Sequence, residues 1–256
     1  MRQYFKGPIT RDAKAHAIAE FPKESCGIVV KNRYHTCKNS ATNPETDFRI
    51  HSSTYLRHER IGKIQCIIHS HNNFAGASKN DMVHQISTAV PWGIINMIEG
   101  KPQEVLFFGD QLPTQDFFGR PFYPGIYDCF SLVRDVYRDM YNVILPNIPR
   151  EPDFWSDPKG ATYFEEQMAW MVPKHLKIVS KHRGLEDGDG LLFKLGTRAG
   201  GKSTIWNHCG LCIENGWMIH HVEDKLSRRV AVMEWFDRID TVVRPTKMEK
   251  KLWKQR

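Results

Sequence analysis

Apolar and polar positions along this chain follow two different periods. Residues 11–21 are Ala-rich with helical spacing, and Pro22 closes the element because it offers no backbone N–H. Cys26-Gly27-Ile28-Val29-Val30 is an unbroken apolar run of strand length, and Asn32-Arg33 forms a turn into a second strand. Residues 39–47 are rich in turn formers and lead to a short strand over 48–50. Ser52 or Ser53 caps a helix over roughly 54–61. Residues 66–69 then form a buried strand, 81–89 a helix, and 91–98 and 104–108 two further strands. This alternation predicts a compact α+β unit ending near Asp110.

Residues 109–125 hold three prolines and three glycines with few periodic apolar positions, which is linker composition. Beyond them, Phe130, Val133, Val136, Tyr137 and Met140 share one face of a helix over 126–141. A Pro- and Asp-rich loop covers 146–160, a helix lies near 162–171, and 191–243 reads as several strands separated by turns. Two of these strands form a hairpin joined by Asn215-Gly216. The expected organisation is a domain over 1–110, a linker over 111–124, a domain over 125–245 and a basic tail over 246–256.

A length of 256 residues with 41% hydrophobic content admits two cores of ordinary size. No apolar run reaches the length of a membrane span, and Met1-Arg2-Gln3-Tyr4-Phe5-Lys6 is not a signal-peptide core. A cytoplasmic origin follows, with the six cysteines reduced. The net charge of +7 owes much to residues 244–256, which hold six basic groups and one acid. That tail reads as a solvated end, with Met248, Leu252 and Trp253 as the apolar stripe of a short docking helix.

Ile67-Ile68-His69-Ser70-His71 carries a strand into a His-x-His pair, and period two puts both imidazoles on one face. Asp81, at the start of the next helix, returns a carboxylate to that face. Three such ligands leave a fourth position open, as catalytic zinc requires. Ser78 is placed as an N-cap or as a donor to bound water or an oxyanion. Glu24, beside the other apolar strand, is placed as a general base. Glu24, His69-Ser70-His71, Ser78 and Asp81 together resemble the signature of the JAMM metalloproteases, and Glu24-Ser25-Cys26-Gly27 is similar to its local context. The resemblance implies a JAMM-like α/β metalloprotease fold with Zn2+ on His69, His71 and Asp81. It also implies Glu24 as the base toward the zinc water and Ser78 as the group steadying the tetrahedral intermediate. Asn72 stands where that family has proline, and the loop to Asp81 is one residue shorter than its commonest form.

Cys129 opens the helix over 126–141, where the helix N-terminus stabilises a thiolate. His208 opens the first strand of the Asn215-Gly216 hairpin and His220 closes the second, so the two come close across the pair. One imidazole can then activate Cys129 while the other orients the first. The Asp128-Cys129 helix start, His208-Cys209-Gly210 and a second histidine twelve residues on resemble the NlpC-type papain-like cysteine peptidases, and 187–193 resembles their strand entry. The resemblance implies a papain-like α+β fold with Cys129 as nucleophile, His208 as base, His220 as orienter, and the Cys129 amide in the oxyanion hole. His221 is an adjacent alternative that should face the other way.

The two motifs in this order resemble the tail assembly proteins of lambda-like bacteriophages. That resemblance implies peptidoglycan stem peptides and phage tail-tip proteins as partners, with the host cytoplasm during assembly and then the virion tail tip as location. The alternative is a non-enzymatic assembly or docking protein with vestigial sites. Gly196-Thr197-Arg198-Ala199-Gly200-Gly201-Lys202-Ser203 matches a phosphate-binding loop in letters, but Thr204-Ile205-Trp206-Asn207 leads into a strand rather than a helix, so no nucleotide is expected. Cys209 and Cys212 should face opposite sides of a strand and are read as structural.

Overall fold

The computed structural model describes residues 5, 7–154, 158–196 and 203–249. The chain divides into two compact units, one running to Pro113 and the other starting at Thr114. Both units mix helices with a sheet.

The first unit consists of α1 (Pro8–Glu20), β1 (Cys26–Val30), β2 (Arg33–Cys37), α2 (Ser52–Ile61), β3 (Ile64–Asn72), α3 (Lys79–Thr88), β4 (Trp92–Ile98) and β5 (Lys101–Phe108). Its strands lie in the order β2-β1-β3-β4-β5. Only β3 and β4 run parallel, because α3 supplies the crossover that a parallel pair needs. Ile9, Ala13 and Ala17 of α1 pack on Cys66, Ile68, Ile95 and Met97, filling one face of the sheet. Ile67, His69 and His71 alternate to the other face.

Three local expectations change in this unit. The β1–β2 turn is Lys31-Asn32, one residue earlier than expected, with both residues at positive φ (49° and 57°) as a two-residue hairpin turn demands. Residues 48–50 form no strand. The amide of Asn39 holds that segment in an irregular loop by donating to the carbonyls of Glu24 (2.9 Å) and Asp47 (2.8 Å). Its side-chain oxygen accepts from Ala41 N (2.9 Å) and Arg49 N (3.1 Å). The cap of α2 is neither expected serine: His51 Nδ1 accepts from Ser53 N at 3.3 Å, and Ser52 and Ser53 lie inside the first turn.

The second unit consists of α4 (Cys129–Tyr141), α5 (Pro158–His175), β6 (Leu176–Val179), β7 (Gly190–Phe193), β8 (His208–Ile213), β9 (Trp217–His220), β10 (Arg228–Ala231) and β11 (Ile239–Pro245). All six strands pair antiparallel, in the order β10-β9-β8-β7-β11-β6. Phe130, Val133, Val136 and Tyr137 of α4 and Phe164, Met168 and Met171 of α5 cover one face against Cys209, Leu211 and Ile219. The other face buries Phe193, Cys212, Met218, Val232 and Val242. Cys209 and Cys212 therefore belong to different cores.

The helix expected near 162–171 is longer, and the edge strand β6 had no counterpart in the sequence pattern. The β8–β9 loop has three residues, with Ile213 opposite Trp217, and its last two, Asn215 and Gly216, take φ of 63° and 75°. After α4 the chain runs back beside the helix as a strap. Val143 N donates to Tyr137 O (3.0 Å), Arg134 Nε to Leu145 O (3.0 Å), and Arg150 Nε to Asp128 Oδ2 (2.8 Å). Among the described residues no helix is long and apolar enough to cross a membrane. Residues 197–202 of the Gly-rich loop and 250–256 of the tail, with Leu252 and Trp253, lie outside the described residues.

Candidate active sites

Strand β3 and the start of α3 bring His69, His71 and Asp81 together with every side chain buried. His69 Nε2 lies 2.9 Å from His71 Nε2. The same two nitrogens lie 3.3 Å from Asp81 Oδ1 and Oδ2 respectively. A tetrahedral zinc with ligand bonds of about 2.0–2.1 Å has edges of about 3.3–3.4 Å. The 3.3 Å from His69 Nε2 to Asp81 Oδ1 matches such an edge, the ligand atoms of the three residues all lie within 4.8 Å of one another, and two imidazoles plus a carboxylate are a usual donor set for zinc. The residues present thus fit the metal.

Asp81 is aimed by a capping box: Ser78 Oγ accepts from Asp81 N (3.1 Å), while Asp81 Oδ2 accepts from Ser78 N (2.8 Å) and Ser78 Oγ (2.6 Å). The Ser78 hydroxyl is therefore spent on orienting Asp81. Glu24 Oε1 stands 4.0 Å from His71 Nε2. Burial pushes the Glu24 carboxyl up to about 7, with His71 opposing and Asp81 and Asp47 adding to the rise. Burial also lowers the pKa of His69 despite Asp81. For Asp81 burial works upward, but both histidines outweigh it and hold the carboxyl well below its ordinary range. Phe48 stacks on His69 at 4.3 Å, which is what the 39–50 loop contributes in place of a strand. Asn72 Nδ2 donates to the carbonyls of Pro22 and Glu45, tying that loop beside the site. A cavity of about 740 Å3 opens here, lined among others by Glu24, Phe48, Arg49, His71, Asp81 and Trp92.

In the second unit Cys129 is the first residue of α4 and Asp128 is its cap. Asp128 Oδ1 accepts from Ser131 N and Oδ2 from Gly125 N, both at 2.9 Å. On the sheet Gly210 pairs with His220, so His208 sits diagonally from His220 on the same face. Their rings meet, with His208 Nε2 3.3 Å from His220 Nδ1. This leaves His208 Nδ1 for the thiol. Contact with the Cys209 thiol and with His208 lowers the pKa of Cys129, against burial and the Asp128 charge. Burial, aided by His208, Arg228 and His221, lowers His220 to about 3, so this imidazole stays neutral and accepts. Trp235 closes the pair from behind, 4.7 Å from the His220 ring and 6.2 Å from that of His208. His221 turns away and packs on Phe122 at 5.0 Å.

The family model for the NlpC/P60 family matches residues 117–256. The chain belongs to the NlpC/P60 family. It is also similar to the tail tip assembly protein K of Escherichia phage N15, at 27% identity over 236 residues, covering 90% of this chain and 91% of that protein. Tail tip assembly protein K of Escherichia phage lambda is 26% identical over 181 residues, 68% of this chain and 78% of the relative. A match of 236 residues cannot be held by the second unit alone, so the likeness to the N15 protein includes the first.

The NlpC/P60 unit holds partners that the sequence pattern did not assign to the site, among them Cys209, which it read as structural. Arg150 forms a buried double contact with Asp128, Cys209 abuts the Cys129 thiol, and Trp235 walls the histidine pair. Only Cys209 had a sequence signal, its place beside His208. Arg150 and Trp235 had none.

Proposed function

We propose that this chain is a phage tail-tip assembly protein whose NlpC/P60 unit is a cysteine endopeptidase for the stem peptides of peptidoglycan. Support for the location comes from the two phage relatives, both tail tip assembly proteins. The observation that carries the chemistry is Cys129 at the N-terminus of α4 facing His208, itself in contact with His220.

In this reading His208 Nδ1 takes the thiol proton, and the Cys129 sulfur attacks the peptide carbonyl. The oxyanion is received by the Cys129 backbone N–H, one of the amides at a helix start without an intrahelical acceptor. As the C–N bond breaks, His208 gives its proton to the leaving amine. A water then loses a proton to His208 and opens the thioester, releasing the carboxylate and restoring the thiol. Throughout, His220 Nδ1 accepts from His208 Nε2–H, which fixes the ring and favours its charged form.

For the first unit we propose a JAMM-like fold with a zinc-dependent peptide or isopeptide hydrolase site, zinc being held by His69, His71 and Asp81. When bound, zinc supplies Lewis acidity toward a carbonyl and acidifies water. Glu24 is the group placed to take up a proton, and Ser78 keeps Asp81 in line. The domain limits proposed are 1–110 and 125–245, joined by 111–124.

The test is release of muropeptides from purified peptidoglycan by wild type, Cys129→Ala and His69→Ala, with zinc measured on each. The reading expects release to be lost only with Cys129→Ala and zinc only with His69→Ala. No release by the zinc-bearing wild type would favour a docking role or a different peptide substrate.

A further inference from the structure

The Arg150 side chain is 1% exposed, the first among the largest fully buried side chains of the described residues, and the mechanism above does not use it. Its guanidinium is fully engaged. Nε donates to Asp128 Oδ2 (2.8 Å), and Nη2 to Asp128 Oδ1 (2.7 Å) and Ser131 Oγ (2.7 Å). Nη1 donates to Ile148 O (2.7 Å) and Asn147 Oδ1 (3.3 Å). Its plane rests on Phe130, with the guanidinium carbon 5.4 Å from the ring centroid. Asp128 on one side of Cys129, and Phe130 and Ser131 on the other, are thus held by one side chain at the end of the strap. A forked guanidinium matches a carboxylate in a way that lysine cannot.

The carboxylate it grips is adjacent in sequence to Cys129 and would oppose a thiolate there if left uncompensated. The other groups facing the sulfur are Cys209 and His208 from β8, with His220 of β9 behind His208. His221 lies within electrostatic range of Asp128. The guanidinium of Arg150 is the cation in direct contact with both oxygens of Asp128.

We propose that Arg150 is a positioning residue for the nucleophile, locking the Asp128 cap that places Cys129 and cancelling the negative field of that cap at the sulfur. This rests on Cys129 being the reactive thiol. It predicts two separable effects, one of charge and one of shape.

The experiment follows iodoacetamide alkylation of Cys129 against pH in the full chain, read by peptide mass mapping because six cysteines are present. Variants are Arg150→Met, Arg150→Lys, Asp128→Asn and Asp128→Asn/Arg150→Met, each checked for folding by circular dichroism. Asn also caps helices, so the Asp128 variants keep the first turn. Removing the counter-charge in Arg150→Met should move the alkylation midpoint up by about one pH unit, about tenfold less thiolate below it. Arg150→Lys should keep the wild-type midpoint but lose muropeptide release, and the double variant should return the midpoint toward wild type. An unchanged midpoint in folded Arg150→Met, or a double variant no better than Arg150→Met, overturns the role of Arg150. A wild-type Cys129 that alkylates like an ordinary thiol instead overturns the nucleophile reading itself.

Discussion

The contact between His208 and His220 sets a measurable cost on removing His220. The two nitrogens stand 3.3 Å apart, His220 is fully buried, and burial keeps it neutral down to about pH 3. When His208 carries the proton, its Nε2–H therefore has a neutral acceptor in a dry site. A hydrogen bond to a charged group is worth about 1.5–3 kcal/mol. The bond counts in kcat as far as the imidazolium is held more strongly in the transition state than in the resting thiolate pair, so His220→Ala should lower kcat by at least about 10-fold and by no more than about 150-fold, with KM little changed. His220→Asn keeps an acceptor and should stay within about tenfold of wild type, the small loss reflecting the void beside Trp235. Because His220 does not titrate near neutrality, the Ala effect should be the same at about pH 6 and pH 8. The assay is initial-rate muropeptide release, with melting curves to show that each variant is folded. A folded His220→Ala that matches wild type, or a His220→Asn as impaired as Ala, would refute the orienting role.

Three further outcomes are expected. Contact with Cys209 and His208 lowers the Cys129 pKa, so alkylation of Cys129 should remain fast at pH values well below the ordinary thiol range of about 8.5 and fall only when the thiolate is protonated in acid. A rate that instead climbs through about pH 8.5, followed by mass mapping, contradicts this. Zinc should raise the melting temperature of wild type and not of His69→Ala or Asp81→Ala, since a ligand bound only by the folded state stabilises it; calorimetry reads it, and equal shifts in all three would sink the site. Gly27→Ala would place a Cβ 2.3 Å from the Tyr34 ring, backed by a Tyr34 Oη contact to His16 Nδ1 at 3.0 Å. Overpacking of this kind costs about 1–3 kcal/mol in chemical denaturation, and Tyr34→Ala in the same chain should recover part of it.

How much of this was legible depended on the range over which each signal acts. The His69-x-His71 pair works because strand periodicity is set by the backbone itself, and Ser78-x-x-Asp81 works because a capping box spans only three residues. Asp128 before Cys129 and the Asn215-Gly216 turn are signals of the same local kind. The errors lie where tertiary contacts override local preference. Residues 48–50 look like a strand, yet Phe48 gains a stacked contact with His69 while Asn39 satisfies the backbone of its loop. His51 outcompetes two serines as the α2 cap through its ring nitrogen, an acceptor no propensity scale favours at that position. The short edge strand β6 exists because Pro245, Arg244 and Val243 of β11 offer it a partner, about seventy residues away by fold rather than by pattern.

The same distinction explains why the proposed catalytic residues could be named and their supports could not. Cys129, His208 and His220 announce themselves by residue type, since few other side chains do that chemistry. Arg150 is one of 36 basic residues and lies in a stretch that reads only as loop. Its importance arises from the strap, which descends α4 past Tyr137 and Arg134 until the guanidinium meets Asp128, 22 positions earlier in the chain. Nothing local requires that path. It follows from Val143, Leu145 and Ile148 all seeking the core shared with α4, which pulls the strap alongside the helix and carries Arg150 to its start. A hydrophobic pattern thereby delivers a charge to a place where charge matters: apolar residues choose the route, and the reactivity of the thiol is set by where that route ends.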